Sequence, residues 1–252
     1  MIKIIGQAIE NTQDGFMDLQ LKTPIIWNFK QVFKEFFDSL EDPDLLKDQQ
    51  NLLEMDTFLH WIQAVVPMDR PATYVEVGSY AGESLFYISQ VLPRGSHIIL
   101  VDYGDHPIAR KLILLVIDWI KTNLGHTIFL MQKDSTDITT VKLVLEIMKD
   151  HNGGFRADLC FIDANHMFSY AFTDLQNFLP ISDFVALHDI TEKEKESSYE
   201  RFGVDQAMVR HIWKVVQYCW PERTNYILDS KTKGKIKPRG FGLIYNKRKT
   251  PL

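Results

Sequence analysis

Five acidic residues stand where predicted strands end, and their side chains are the first candidates for chemistry. They are Glu76, Asp102, Asp134, Asp163 and Asp189. A single carboxylate at such a position could simply cap a helix. In a parallel sheet, however, the carboxyl ends of the strands meet at one edge, where ligands bind near the reversal of strand order. Five carboxylates at that edge therefore indicate a binding site.

The turn after the first predicted strand is rich in glycine. Residues 74–84 read YVEVGSYAGES, with Gly78 and Gly82 between an apolar run and an amphipathic helix. Such a turn exposes backbone N–H groups and the positive end of a helix dipole to a ligand. The spacing does not match the dinucleotide fingerprint, because Tyr80 stands where a pyrophosphate turn needs a small residue. A phosphate-binding loop is not indicated either, because no Gly-Lys-Ser/Thr sequence follows.

Three later residues fit the rest of a nucleoside. Asp102 follows the glycines at roughly the 20-residue spacing at which a carboxylate accepts hydrogen bonds from ribose hydroxyls. Asp134 and Ser135 follow the third predicted strand, where the edge of a base would lie. Together with the glycine turn, they predict a site for an adenosine-type ligand without its phosphates.

The elements that position these residues follow from the hydrophobic pattern. Apolar runs typical of strands buried on both faces alternate with helices, which predicts a doubly wound α/β fold. The predicted strands are residues 74–77, 97–102, 127–132, 158–163 and 184–189, and the predicted helices are residues 84–92, 109–124, 137–150, 168–179 and 204–220. Helix 109–124 is apolar on much of its surface, so we expect it to be well buried.

The C-terminal residues complete the predicted sheet. Residues 226–228 and 240–246 read as two strands joined by an exposed basic turn at residues 230–239, which predicts an antiparallel hairpin. The sheet is then mostly parallel and seven-stranded. The polar residues 191–203 are predicted to form a surface loop over the same edge.

The first 70 residues lack this alternation. They contain a predicted short strand at residues 1–8 and amphipathic helices at residues 27–40 and 52–66. We therefore predict an N-terminal helical extension over residues 1–70 and a ligand-binding domain over residues 71–252. Helical caps often form dimer surfaces or substrate lids, so a homo-oligomer is one option.

The composition excludes several classes of protein. The net charge is −5, which argues against a nucleic-acid partner bound through phosphate neutralisation. Cys160 and Cys219 form neither a metal-binding spacing nor a disulfide framework, and Cys160 reads as a core residue. No signal peptide and no apolar run of membrane-spanning length is present, so we expect a cytoplasmic protein without a membrane partner.

The motifs in this order resemble those of the class I S-adenosylmethionine-dependent methyltransferases. The resemblance rests on E-x-G-x-x-x-G-x-S in the turn, on VD at the end of the second strand and on DS after the third. The later segment resembles the branch of the macrocin-type sugar O-methyltransferases and cephalosporin-hydroxylase-like proteins. Its marks are D-x-x-H at residues 163–166, Asp-Leu at residues 174–175 and His-Asp at residues 188–189, and the similarity covers about residues 52–246.

The resemblance implies a Rossmann-like methyltransferase fold and a set of residues that bind S-adenosylmethionine. These residues are Glu76, Gly78, Ser79, Tyr80, Gly82, Glu83, Ser84, Asp102, Asp134, Ser135 and Asp163. Glu76 and the glycine turn would line the methionine end, Asp102 would hold the ribose, and Asp134 with Ser135 would flank the adenine. The implied reaction is methyl transfer to a hydroxyl of a small acceptor, such as a sugar or a glycosylated metabolite.

The resemblance also implies a catalytic centre. Asp163 and Asp189 would bind a divalent cation, Mg²⁺, while His166 would be the general base and His188 a second catalytic residue. A hard cation lowers the pKa of hydroxyl groups bound to it, and a histidine can take up the proton at neutral pH. The branch usually has an acidic residue at the position of His188, and imidazole is a poorer magnesium ligand. The cation could therefore be weakly held, a different metal, or absent.

A second hypothesis belongs to another class of function. The chain could be a catalytically silent protein of the methyltransferase fold that serves as a binding or scaffold protein, which the departure at His188 would suit. The intact glycine turn and Asp102 argue against this hypothesis. An oxidoreductase is disfavoured, because no ferrous triad of two histidines and a carboxylate is evident at ordinary spacing.

Overall fold

In the computed structural model of the chain, residues 52–191, 209–227 and 239–246 are described. The strands in these ranges are β1 (Thr73–Val77), β2 (His97–Asp102), β3 (Thr127–Gln132), β4 (Ala157–Ile162), β5 (Ser182–His188), β6 (Thr224–Ile227) and β7 (Phe241–Tyr245). The α-helices are α1 (Leu52–Val65), α2 (Glu83–Val91), α3 (Pro107–Leu124), α4 (Ile138–Asn152), α5 (Phe168–Phe178) and α6 (Val209–Cys219). The elements predicted at residues 1–8 and 27–40, most of the loop at 191–203 and most of the turn at 230–239 lie outside the described residues.

The strands form one sheet in the order β3-β2-β1-β4-β5-β7-β6. Strands β1 to β5 pair in parallel, while β7 pairs antiparallel with both β5 and β6. This arrangement confirms the predicted doubly wound, mostly parallel seven-stranded sheet with a C-terminal antiparallel pair. The strand order reverses between β1 and β4, so the carboxyl ends of these two strands lie side by side.

The sheet is the middle of three layers. Along β1, Tyr74 contributes to the core on one face, and Val75 and Val77 contribute to the core on the other. Helices α1 to α3 cover the first face, and helices α4 to α6 cover the second. Strands β1 and β4 are buried along their whole length, as their continuous apolar runs predict, whereas the edge strand β3 is partly exposed.

Helix α1 packs into the same core as the sheet. The ring of Phe58 stacks on Phe241 with centroids 4.4 Å apart and contacts Phe161 at 5.6 Å. Residues 52–66, which the sequence assigned to an N-terminal extension, therefore pack as part of the α/β domain. The helical extension stays a prediction for residues 1–51, which lie before the described part.

Helix α3 is less buried than its composition suggested. Leu112, Ile113 and Val116 face the core, but Leu114 is 50% exposed and Leu115 is 41% exposed. The prediction of a well-buried helix is thus wrong for its outer side, because a helix that covers a sheet buries only one of its faces. Across the residues that the structure describes, no helix has the length and apolar character needed to cross a membrane.

Candidate active site

Two adjoining cavities lie at the carboxyl edge of the sheet. The larger has a volume of about 490 Å³ and is lined by Gly78, Tyr80, Val101, Asp102, Tyr103, Asp105, Lys133, Asp134, Ser135, Asp163, Ala164, Asn165 and Tyr170. The smaller has a volume of about 260 Å³ and is lined by Gly78, Ser79, Tyr80, Ala81, Glu83, Ser84, Asp163, Ala164, His166 and Arg239. Most of the predicted site residues are therefore brought together here.

The glycine turn joins β1 to α2 with an unusual backbone. Gly78 and Gly82 have φ angles of 86° and 88°, and Tyr80 has a φ of 42°, which is in the left-handed region. A Cβ atom at Gly78 would overlap the backbone of Asp163 and Ala164 at the end of β4. Gly78 is therefore required for the close approach of the two strand ends. It also lines both cavities.

Asp102 holds the glycine turn against the end of β2. Its Oδ2 accepts hydrogen bonds from the backbone N–H groups of Ser79 at 2.8 Å and Tyr80 at 2.9 Å. Its Oδ1 accepts a bond from the N–H of Gly104 at 2.7 Å. The carboxylate lines the larger cavity, so it can face a ligand while it fixes the turn.

Glu76 lies beneath the turn and has no exposed surface. Tyr74 donates its hydroxyl to one carboxylate oxygen at 2.7 Å, and Ser84 donates to the other at 2.6 Å. Burial raises the pKa of Glu76 to about 7, although these two hydrogen bonds act to lower it. Glu76 thus supports the turn from below, and its place at the methionine end of the cofactor stays a prediction.

The loop after β3 is fixed by helix α5. Asp134 Oδ1 accepts hydrogen bonds from the N–H and the hydroxyl of Thr136, at 2.9 and 2.7 Å. Asn177 of α5 donates from Nδ2 to the carbonyl oxygens of Ser135 at 3.1 Å and Thr136 at 3.3 Å. One turn earlier on the helix, Asp174 is 1% exposed, and burial raises its pKa to about 6.

Two aspartates and two histidines cluster at the ends of β4 and β5. His166 Nε2 lies 3.4 Å from Asp163 Oδ1 and 3.2 Å from Asp189 Oδ2. His188 Nδ1 lies 3.1 Å from Asp163 Oδ2 and 3.6 Å from Asp189 Oδ1. Asp163, His166 and Asp189 each offer one ligand atom, and these atoms lie within 4.8 Å of one another, close enough to share a metal ion.

The two histidines of the cluster have different environments. The side chain of His166 is 32% exposed and lines the smaller cavity. His188 is 2% exposed, and its ring lies 4.8 Å from the ring of Phe241. His188 is therefore a buried neighbour of Asp163, and its role as a second catalytic residue stays a prediction.

The charges of Asp163 and His188 stabilise each other. Burial alone would raise the pKa of Asp163, but His188 and His166 outweigh it and hold that pKa well below its usual range. Burial would likewise lower the pKa of His188, but Asp163 and Asp189 hold it above its usual value. Asp189 itself has a left-handed φ of 60°, and such strain in a non-glycine residue often accompanies a functional site.

Sequence reasoning missed several residues at this edge. Tyr170 and Lys133 line the larger cavity, and Arg239 lines the smaller one. Arg239 was assigned to an exposed basic turn, yet it precedes β7, whose Phe241 pairs with His188. An antiparallel strand beside β5 begins where β5 ends, so the predicted hairpin already contained the signal that Arg239 belongs to the site.

Comparisons with known proteins agree with this geometry. Residues 75–190 match a family model described as a methyltransferase domain. The chain is similar to the solved O-methyltransferase TomG from Streptomyces achromogenes, in complex with SAM, at 14% identity and a TM-score of 0.54, over 90% of this chain and 92% of that one. It is similar to the O-methyltransferase from Bacillus cereus, in complex with SAH, at 13% identity and a TM-score of 0.56, over 97% and 100%.

A third solved structure, cofactor-bound Rv0187 from MTB, has 13% identity and a TM-score of 0.56 over 87% of this chain and 89% of that one. No curated protein matches the sequence. At these identities the solved structures establish the fold, which is Rossmann-like.

Proposed function

We propose that this chain transfers a methyl group from S-adenosylmethionine to a hydroxyl of a small acceptor. The match of residues 75–190 to a methyltransferase domain and the Rossmann-like fold support the proposal. The match to the methyltransferase domain confirms the class I resemblance in the sequence, while the macrocin-type branch stays a prediction. The substrate class and the divalent cation are part of the proposal.

One observation carries the proposal: the larger cavity, which has the residues predicted to bind adenosine, adjoins the smaller cavity, which contains His166. The two cavities share Gly78, Tyr80, Asp163 and Ala164 as lining residues. Methyl transfer from a sulfonium is an in-line displacement, so the protein must align donor and acceptor and remove the acceptor proton. The larger cavity has Asp102 and the Asp134–Ser135 pair for an adenosine, and the smaller one has a histidine beside it.

His166 is the proposed general base. Its Nε2 faces the carboxylates of Asp163 and Asp189, which favour the tautomer with the proton on Nε2. Nδ1 then carries the lone pair that can take up the acceptor proton. Carboxylates that orient an imidazole in this way also stabilise the imidazolium that forms when the proton is transferred.

Replacement of His166 tests this assignment. We expect His166→Ala to lower kcat by roughly 100-fold or more, because general-base catalysis contributes on that order. The assay is transfer of a labelled methyl group from S-adenosylmethionine to a panel of small hydroxylated compounds, including sugars and glycosides. The exposed His211 of α6 provides the control, and His211→Ala should keep the wild-type rate. An unchanged rate in His166→Ala would refute the base, and no transfer to any acceptor would favour the scaffold hypothesis.

Asp163 and Asp189 would hold the proposed cation, with His166 beside them. When bound, a divalent cation lowers the pKa of an acceptor hydroxyl. The carboxylates of Asp163 and Asp189 supply the oxygen ligands that Mg²⁺ prefers, and His166 stays outside the ligand set because its Nε2 carries a proton.

Removal of the metal tests this part of the proposal. We expect treatment with EDTA to abolish methyl transfer and added Mg²⁺ to restore it. Full activity in EDTA would remove Asp163 and Asp189 from the role of metal ligands and leave proton removal to His166 alone.

A further inference from the structure

The smaller cavity contains a cationic side chain that proton removal does not require. Among the described residues that line this cavity, Arg239 is the one with a permanent positive charge. The proposed base, His166, lines the same cavity. A neutral hydroxylated acceptor needs an oriented base but no guanidinium, so Arg239 indicates a further feature of the acceptor.

Arg239 lies on the half of the sheet away from the residues predicted to bind adenosine. The strand order is β3-β2-β1-β4-β5-β7-β6. The glycine turn follows β1, Asp102 ends β2 and Asp134 follows β3, whereas Arg239 precedes β7. The carboxyl ends of β4 and β5 therefore lie between the glycine turn and Arg239. This position favours contact with an acceptor over contact with the cofactor.

Arg239 and the proposed base contact the same carboxylate oxygen. Nη1 of Arg239 lies 3.5 Å from Asp189 Oδ2, and Nε2 of His166 lies 3.2 Å from it. The cation and the base are therefore within the span of one small molecule. An acceptor that gives its hydroxyl proton to His166 can place a second group against Arg239.

The backbone of Arg239 is fixed on both sides. Its N–H donates to Glu54 Oε2 of α1 at 3.2 Å, and the N–H of Gly240 donates to the same oxygen at 3.1 Å. Its carbonyl oxygen accepts bonds from the N–H of Thr191 at 3.0 Å and from the Thr191 hydroxyl at 2.9 Å. An arginine on a fixed backbone loses less conformational freedom when it binds a ligand.

The guanidinium itself is only weakly engaged by the protein. The side chain is 41% exposed, and its 3.5 Å contact with Asp189 is at the outer limit for a hydrogen bond. An arginine has five N–H donors in a planar fork that matches a carboxylate or a phosphate. Within the part of the chain that the structure describes, most of these donors have no partner.

The charges around Arg239 favour a ligand group with a single negative charge. Glu83 and Asp163 also line the smaller cavity, and Asp189 lies beside the guanidinium. These carboxylates repel an anion, and the repulsion grows with the charge of that anion. A carboxylate is therefore favoured over a phosphate monoester, which is close to a dianion at neutral pH.

We propose that the methyl acceptor carries a carboxylate, as a uronic acid or another hydroxy acid does, and that Arg239 binds this group. The hydroxyl to be methylated then lies at His166, while the carboxylate lies against the guanidinium. This inference rests on the proposed function, because it names the substrate class of the same site. It makes Arg239 a residue that determines acceptor specificity.

The test uses three sugars that differ at C6. D-glucose has a hydroxyl there, D-glucuronate a carboxylate and D-glucose 6-phosphate a phosphate. Each is titrated calorimetrically into the protein in the presence of Mg²⁺ and saturating S-adenosylhomocysteine, so that binding is measured without turnover. The wild type should bind glucuronate roughly 10- to 100-fold more tightly than glucose, the usual value of hydrogen bonds to a charged group. It should also bind glucuronate more tightly than glucose 6-phosphate.

Variants of Arg239 show whether this side chain causes the preference. Arg239→Gln should reduce the affinity for glucuronate to that for glucose, because the charge is lost. Arg239→Lys keeps the charge but loses the fork, so it should retain part of the preference. The matched control is Arg223→Gln, because Arg223 is a surface arginine beside Glu222 that lines neither cavity. This control should keep the wild-type preference.

The possible failures point to different causes. The proposal is overturned if the wild type does not prefer glucuronate to glucose, if it binds glucose 6-phosphate more tightly, or if the preference survives in Arg239→Gln. A matching loss of affinity for S-adenosylhomocysteine in Arg239→Gln would also overturn it, since Arg239 would then serve the cofactor or the fold. If the wild-type protein did not bind S-adenosylhomocysteine, the proposed function itself would fail.

Discussion

The protonation of buried Glu76 affects the stability of the fold. Its carboxyl group lies under the glycine turn, where it accepts hydrogen bonds from Tyr74 and Ser84. Because burial raises its pKa to about 7 from an ordinary value of 4.5, the folded state holds the proton more tightly than the unfolded state. The stability that this proton confers is complete below the unfolded pKa and is lost as the pH rises through the folded pKa.

Replacement by glutamine should therefore have a pH-dependent effect. Glu76→Gln keeps the size of the side chain and removes the buried charge, so it should stabilise the protein at pH 8 by on the order of 2 kcal/mol. The gain should disappear near pH 4, where the wild-type carboxyl is protonated in both states. The measurement is the free energy of unfolding in urea at the two pH values.

The exposed Glu146 of α4 offers the control for this experiment. Glu146→Gln removes the same charge without burial, so its effect should vary little between the two pH values. If Glu76→Gln changed stability equally at pH 4 and pH 8, the buried carboxyl would not be the titrating group.

The two histidines near Asp163 and Asp189 differ in burial and in their contacts. His188 is buried and lies next to Asp163, so it balances the charge of that carboxylate. His166 is partly exposed and lies between two carboxylates, which suits a residue that exchanges a proton. The D-x-x-H spacing indicated His166 as a candidate base, but nothing in the sequence distinguished the exposure of the two rings.

At the scale of elements, α5 holds the loop that would face the adenine. Asn177 donates to two successive carbonyl oxygens of that loop, those of Ser135 and Thr136. The Asp134–Ser135 pair, predicted to flank the adenine, thus depends on helix α5, which begins more than thirty residues later at Phe168. Such a long-range bond could not be inferred from the local pattern at residues 134–135.

Loss of this bond should weaken cofactor binding. Asn177→Ala leaves the loop without its support, and we expect the affinity for S-adenosylhomocysteine to fall roughly 3- to 10-fold, the effect of a net hydrogen bond. Calorimetric titration measures the change. The control is Asn123→Ala, since Asn123 is exposed and donates to the carbonyl oxygen of Trp119 in its own helix at 2.8 Å. Equal affinities in Asn177→Ala and the wild type would contradict a supporting role for α5.

The β5–β7 pair shows how an antiparallel strand extends a site built on parallel strands. Phe241 of β7 pairs with His188 of β5, so the residues just before β7 arrive at the carboxyl edge. Glu54 of α1 binds the backbone of Arg239 and Gly240 at that point. The first described helix and the last described strand therefore meet beside the cluster of aspartates and histidines at the ends of β4 and β5, although they are far apart in sequence.

At the scale of the whole molecule, much of the sheet could be predicted from the sequence. Strands β2 and β3 have the predicted bounds, and β1 begins one residue earlier, because long apolar runs between polar turns define buried strands well. The ends of α4 could also be predicted from the sequence, because Asp137 caps its start and Gly153 ends it in a left-handed conformation. These local signals also fixed the edge at which the site lies.

The rest depends on which surfaces meet in three dimensions. An amphipathic pattern predicted α1 as a helix, but it could not show that Phe58 stacks on Phe241 in the central core. The pattern of the turn predicted a ligand beside it, but it could not show that the hydroxyls of Tyr74 and Ser84 bind the carboxylate of Glu76 beneath the turn. Such partners are set by tertiary packing, which a single sequence does not display.

The central claim is that this fold binds the S-adenosyl cofactor at the edge where β1 and β4 end side by side. The most direct test is a calorimetric titration of the wild-type protein with S-adenosylhomocysteine. We predict one saturable site per chain, with a dissociation constant on the order of micromolar. The absence of binding at millimolar ligand would contradict the account.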